Sequence, residues 1–153
     1  MPDNTEPRSS GITGWIARYR TAWETNDPDD IRALFTPDAD YRTEPYSPAW
    51  HGYDEIVGGW LAAQDAPATT TFSWQILRAP DPYLPDDIAM VQATTVYTDG
   101  PTYSNLWLVR LAPDDRASEF TEWWMEQPSG AHAAEAAAQP AQSAQQAQSG
   151  GPE

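Results

Sequence analysis

The sequence predicts an α+β domain, with three helices packed on a strongly curved, mainly antiparallel sheet. Three observations predict it. Apolar residues recur at helical spacing near the start of the chain, at Ile12, Trp15, Ile16, Tyr19, Ala22 and Trp23. Four runs rich in β-branched and aromatic residues occupy most of 69–127, separated by turn signals. The helical and strand patterns are segregated along the chain, as expected when helices gather on one side of an antiparallel sheet.

The elements follow in the order α-α-β-α-β-β-β-β. The first helix spans Gly11 to Asn26, with Arg18, Arg20 and Glu24 off its apolar stripe. The second is short and ends near Phe35. Asp27 suits its N-cap, Pro28 its first position, and Asp29 and Asp30 the positive end of its dipole. A strand is expected over 38–45, stopped by Pro45, and then a loop, PYSPAWHG. The third helix, YDEIVGGWLAAQ, turns Ile56, Val57, Trp60 and Leu61 inward and is softened by Gly58 and Gly59. The remaining strands are expected at 69–79, 87–98, 101–112 and 116–127. Asp99-Gly100 makes a hairpin turn between the second and third of these, and Pro113-Asp114-Asp115 joins the third and fourth. Strands this long twist and curl.

Composition limits what the domain can do. The net charge is −15 and all 8 basic residues are arginine, so phosphate backbones and anionic membranes are repelled and neither nucleic acid nor membrane is an expected partner. The chain has no cysteine, which removes thiol nucleophiles, disulfides and cysteine-based metal sites. With His51 the only histidine inside the domain and His132 in the tail, a multi-histidine metal site is excluded. Neither a metal nor a cofactor is expected, because no phosphate-cradling glycine loop or metal spacing is present. MPDNTEPRSSG lacks an apolar signal core and no stretch has membrane-spanning length, so a cytoplasmic protein is expected. Residues 1–11 read as a flexible N-terminus and 12–127 as the domain. The Ala, Gln, Ser, Gly and Pro of 128–153 read as a disordered tail that cannot bury enough apolar surface to order itself.

The 8 Trp, 7 Tyr and 3 Phe all lie between Trp15 and Trp124. They make a large aromatic core, an aromatic-lined cavity, or both. Alternation along EFTEWWMEQP places Phe120, Glu122 and Trp124 on one strand face and Thr121, Trp123 and Met125 on the other. Three helices cannot cover both faces of a curved sheet. One face is expected to close over the helices around a cavity, with Trp124 looking in. The other is left for a second subunit, with Trp123 in the interface.

RYRTAWETNDPDDIRALFTPDADYRTEP, followed by HGYDEIVGGW, NLWLVRL and FTEWWM, resembles the nuclear transport factor 2-like superfamily. The likeness is to its SnoaL-like (polyketide-cyclase-like) and ketosteroid-isomerase-like branch and covers residues 12–127. It implies a cone of helices closing on the concave face of a bent sheet, dimeric through the convex face. The isomerase pattern has a tyrosine after an arginine in the first helix as an oxyanion donor, matched by Arg18-Tyr19. Its general base is an acid before a proline at the end of the first strand, matched by Glu44-Pro45 with one residue inserted in the turn. Its second donor, a protonated aspartate in the fourth strand, corresponds to Trp107. This is a departure, since an indole N–H donates a hydrogen bond but cannot act as an acid. The epoxide-hydrolase branch uses an Asp/Arg/Glu cluster, which Asp40, Arg42 and Glu44 could form with Glu122 as a further acid.

The candidate catalytic residues are therefore Tyr19, Glu44 and Glu122. Each has a structural alternative: Tyr19 as a core tyrosine, Glu44 as a solvated acid or partner of Arg42, and Glu122 as part of a hydrogen-bond network with Asn105 and Trp107. Residues expected to contact a ligand are Trp15, Trp23 and Trp60 from the helices, Arg42 from the first strand, and Asn105, Trp107, Phe120 and Trp124 from the last two. His51 is a lesser catalytic candidate at the expected cavity mouth. The expected function is binding of a small, hydrophobic, cyclic molecule, with cofactor-independent acid/base chemistry of isomerase, cyclase or dehydratase type. The alternatives are a non-catalytic ligand-binding or accessory protein and a protein-interaction module.

Overall fold

Helix α1 (Ile12–Thr25) runs along the apolar stripe and buries Trp15, Ile16, Tyr19 and Ala22. It stops at Asn26, whose φ of 52° lies in the left-handed region that asparagine tolerates. Helix α2 (Pro28–Arg32) starts as the residues dictate: the Asp27 side chain accepts a 2.8 Å hydrogen bond from the Asp29 backbone N–H. The computed structural model describes residues 11–64, 69–81 and 83–128. The readings of the N-terminal segment before Gly11 and of the tail beyond Pro128 lie outside the described residues.

After α2 come β1 (Phe35–Arg42), a two-residue strand β2 (Trp50–His51) and helix α3 (Gly52–Ala62). Strands β3 (Thr70–Arg78), β4 (Ile88–Tyr97), β5 (Thr102–Leu111) and β6 (Ala117–Glu126) follow. Each of the last four is one residue shorter at either end than the sequence predicts. They form an antiparallel meander, and the whole sheet has the order β2-β1-β6-β5-β4-β3. The β5–β6 turn passes through Asp115 with φ 65°.

Two features differ from the expectation. The loop PYSPAWHG contains β2, which pairs antiparallel to β1. The first strand, expected over 38–45, instead spans Phe35–Arg42. Burial moves it: Leu34 and Phe35 are fully buried, and the Leu34 carbonyl accepts a 2.7 Å bond from Ala117 N–H as β1 joins β6 in parallel. Pro37 is tolerated because the register shifts between Phe35 and Asp40, so the ladder is interrupted there.

The concave face carries the core. Val91, Ala93, Trp107, Val109 and Phe120 are buried beneath α1 and α3. At the centre Trp15 is fully enclosed, with ring centroids 5.0 Å from Phe120 and 5.5 Å from Tyr19. Its indole N–H donates a 2.9 Å bond to the Leu34 carbonyl. No described helix covers the opposite face, which exposes Leu77, Val96, Trp123 and Met125.

Candidate functional site: an aromatic cavity around Glu122

Between the helices and the concave sheet lies a cavity of about 470 Å³. Helix α1 contributes Tyr19 and Trp23, α3 contributes Trp60, and Ala63 and Gln64 follow at its end. β1 supplies Tyr41, with Thr43 just beyond it, and β2 supplies Trp50. The meander adds Thr95 and Tyr97 from β4, Tyr103, Asn105 and Trp107 from β5, and Glu122 and Trp124 from β6. Pro101 completes the wall from the β4–β5 loop. The volume falls within the range typical of small-molecule sites, about 300–1,000 Å³.

Glu122 is the one carboxylate in this wall among the described residues. The Tyr41 hydroxyl donates to its Oε2 at 2.6 Å, a short charge-assisted bond. Asn105 Nδ2 approaches Oε1 at 3.5 Å, long enough to contribute little. Thr95 in turn donates to Asn105 Oδ1 at 2.9 Å and so fixes the amide. Burial pushes the Tyr41 phenol well above its ordinary value, and the Glu122 charge and the neighbouring Tyr19 hydroxyl push it further in the same direction. Tyr41 is therefore a neutral donor at any physiological pH. The Trp107 indole Nε1 is buried with no hydrogen-bond partner, although Trp107 pairs directly across the ladder from Glu122. An unpaired buried donor is costly and invites an acceptor.

Of the expected residues, the fold brings Tyr19, Trp23, Trp60, Asn105, Trp107, Glu122 and Trp124 to this wall. Four stand elsewhere. Trp15 and Phe120 are fully buried behind it and pack on Tyr19, so they support the wall without lining it. Arg42 and Glu44 are placed away from the cavity because β1 presents its other face. Tyr41 sits opposite Phe120, while Arg42 lies opposite Thr121 on the convex side and pairs with Asp40 at 3.6 Å. Glu44 is exposed beyond the end of β1 and accepts a hydrogen bond from Ser47. The expected cavity cluster of Asp40, Arg42, Glu44 and Glu122 is thus not assembled.

His51 also stands outside the cavity. Its Nδ1 lies 2.7 Å from Asp40, whose hydrogen bond and charge raise the imidazole above its usual range. Among the described residues no group of three or more His, Cys, Asp or Glu side chains is arranged to hold a metal ion.

The sequence reading missed Tyr41, Trp50, Tyr97 and Tyr103 as wall residues. Tyr103 was legible, since it shares alternation with Asn105 and Trp107. Tyr97 follows once β4 is paired with β5. Trp50 had no local signal, because it sits in a proline-rich connection that becomes a strand only by pairing with β1.

Helices closing on a bent six-stranded sheet around a lined cavity define a nuclear transport factor 2-like cone. The chain belongs to the SnoaL-like family: the model of the SnoaL-like domain matches residues 16–125. Solved structures agree on the fold. A ketosteroid isomerase-like protein from Erwinia carotovora atroseptica superposes with a TM-score of 0.53 at 18% identity, covering 74% of this chain and 93% of that one. An NTF2-like protein of unknown function from Mesorhizobium loti gives 0.54 at 19% identity, with coverages of 72% and 88%. An LEH-like epoxide hydrolase from M. tuberculosis gives 0.50 at 13% identity, with coverages of 72% and 80%. No curated protein matches the chain. No described helix is long and apolar enough to cross a membrane.

Proposed function

We propose that the protein binds a small, largely apolar, cyclic molecule in the Glu122 cavity and performs cofactor-independent acid/base chemistry on it. The observation that carries this reading is the pairing of Glu122 with the unpartnered Trp107 donor inside an aromatic wall. A structural network leaves few such buried donors unpaired. In this reading Glu122 exchanges a proton with the ligand, Trp107 and Tyr19 donate to a ligand oxygen, and Tyr41 orients the carboxylate. Glu44 would take part only if its segment rearranged from Ser47, so its proposed part is secondary.

The test is a turnover screen over cyclic ketones, enols and epoxides with wild type, Glu122→Gln and Trp107→Phe. Loss of turnover by about a hundredfold or more in Glu122→Gln, with binding kept, supports the reading. Turnover indifferent to Glu122 overturns it. One observation favours a second reading, a binding protein without chemistry: Glu44, at the position of the isomerase base, faces solvent. Saturable binding with no turnover of any class would select it.

We also propose that the uncovered sheet face joins two copies of the chain. Exposed Leu77, Trp123 and Met125 line a shallow apolar groove there, with Leu106 at its base.

A further inference from the structure

We infer that the cavity's ligand carries a flat, conjugated ring with a carbonyl on its edge, as in an aromatic lactone or lactam, and that Trp124 is the residue that selects it. The inference rests on the cavity-binding reading above and adds the shape and edge chemistry of the ligand to it.

Two observations converge, one on the ring and one on its edge. Five described tryptophans stand in the wall, and four of them are seated on other rings of the protein. Centroid to centroid, Trp23 lies 5.1 Å from Phe72 and Trp50 4.9 Å from Tyr41, while Trp60 and Trp107 lie 5.4 Å and 4.8 Å from Tyr19. Trp124 is the exception. Its indole neither packs against a described ring nor hydrogen-bonds a described group, and half of its surface is exposed. A bare indole face in a cavity wall is a stacking platform. A flat π-system gains on it beyond the area it buries, and a puckered saturated ring of the same size does not. Helices α1 and α3 set Trp23 and Trp60 on the other side of the cavity.

The edge chemistry comes from Asn105, which stands directly opposite Trp124 in the β5–β6 ladder and also lines the cavity. Residues so paired hold their Cβ atoms about 4.5–5.5 Å apart, so the amide lies beside the rim of whatever stacks on the indole. Thr95 donates to Asn105 Oδ1 at 2.9 Å, which turns Nδ2 toward Glu122. The opposite turn would set Oδ1 against a carboxylate. Nδ2 carries two N–H bonds. One approaches Glu122 Oε1 at 3.5 Å, and the other has no partner among the described residues. With Oδ1 occupied by Thr95, the open position of the amide is a donor. A ring carbonyl meets it in the plane of the stacked ring, whereas a plain hydrocarbon would cover it unsatisfied.

The test is calorimetric titration with coumarin and with octahydrocoumarin, which keeps the lactone carbonyl and the fused rings but is saturated and puckered. Wild type should bind coumarin about fivefold or more tighter. Trp124→Leu, at a half-exposed position, should weaken coumarin until the two lactones bind about equally, while Trp124→Phe keeps most of the preference. Asn105→Leu should weaken both lactones about fivefold and leave coumarin ahead. Thr95→Val, which frees the amide without removing it, should weaken both in the same sense and serves if Asn105→Leu does not fold. Octahydrocoumarin bound as tightly as coumarin overturns the inference and leaves the cavity reading standing. So does a preference for coumarin that survives Trp124→Leu, or lactone binding indifferent to Asn105 and Thr95. Failure of both lactones to bind up to millimolar concentration also overturns it. The cavity reading falls with it only if the cyclic ketones, enols and epoxides of the turnover screen fail to bind as well.

Discussion

The Tyr41 hydroxyl and the Glu122 carboxylate meet at 2.6 Å across the only parallel strand pair among the described elements, β1 and β6. This contact orients the cavity's charge and ties the first strand to the last. Replacing Tyr41 with Phe takes from the half-buried Glu122 carboxylate its 2.6 Å hydroxyl donor. A hydrogen bond to a charged group is worth about 1.5–3 kcal/mol, and partial solvent access places this one near the lower end. Urea unfolding at neutral pH should show a loss of about 1–2 kcal/mol. The effect should shrink in alkali. The folded-state pKa of Tyr41 is raised above the ordinary 10.0, so above that pH the unfolded chain has released a proton that the folded one retains. Stability from this group is full below pH 10.0 and is lost as pH rises through the folded value. The gap between wild type and Tyr41→Phe should therefore narrow above pH 10.0, and a constant gap would contradict the assigned burial.

Two buried tryptophans predict unequal costs for the same substitution. Trp15→Phe removes a 2.9 Å bond from the core and leaves the Leu34 carbonyl with the Ala117 N–H alone, and together with the lost ring volume the expected loss is about 2–4 kcal/mol. Trp107→Phe deletes a donor that bonds nothing, so only ring volume is lost, at a cost below about 2 kcal/mol. Denaturation midpoints of the two variants decide it. A Trp107→Phe loss equal to that of Trp15→Phe would mean the Trp107 indole N–H is engaged.

Gly59 on α3 lies against the Trp50 ring. A Cβ there would stand 2.5 Å from the indole, closer than real contacts allow. Gly59→Ala gains about 1 kcal/mol of helix propensity but must drive Trp50 aside, at a cost of about 1–3 kcal/mol. Trp50 is a wall residue, so the displacement should alter the cavity as well as stability. The expected result is a lower melting temperature with weakened uptake of ring-bearing probes. Alanine tolerated at both levels would show that the ring moves without resistance.

The convex groove predicts a concentration-dependent assembly. Trp123→Arg places a charge where Leu77 and Met125 expose apolar surface. Sedimentation should show wild type as a dimer and the variant as a monomer with its fold intact. A wild-type monomer at tens of micromolar would refute the proposed interface.

Most of the architecture was legible in residue chemistry. Asp27-Pro28 marked α2, and alternation in EFTEWWMEQP sorted Glu122 and Trp124 from Trp123. The turn acids bounded the meander to within one residue at each strand end. Strand β1 was harder because two faces of 38–45 read equally well. The reading that turned Asp40, Arg42 and Glu44 inward chose the polar side, while the fold turned Tyr41 inward. With a period of two, that single choice exchanges an ionic cluster for an aromatic wall. Parallel pairing with β6, which decides the face, leaves no local mark in the sequence. Trp50 illustrates the same limit: its place in the wall exists only through tertiary contact.

The parallel closure has a consequence for biosynthesis. Tyr41 and Glu122 stand 81 residues apart, and everything between them is made before they can meet. At about 5–20 residues per second, the helices and β1 wait seconds for their covering strand. During that interval the Trp15 face of α1 is open to solvent and to chaperones. The last strand to emerge therefore acts as the latch of the fold, and premature termination within β6 would release a chain with its tryptophans unsheltered.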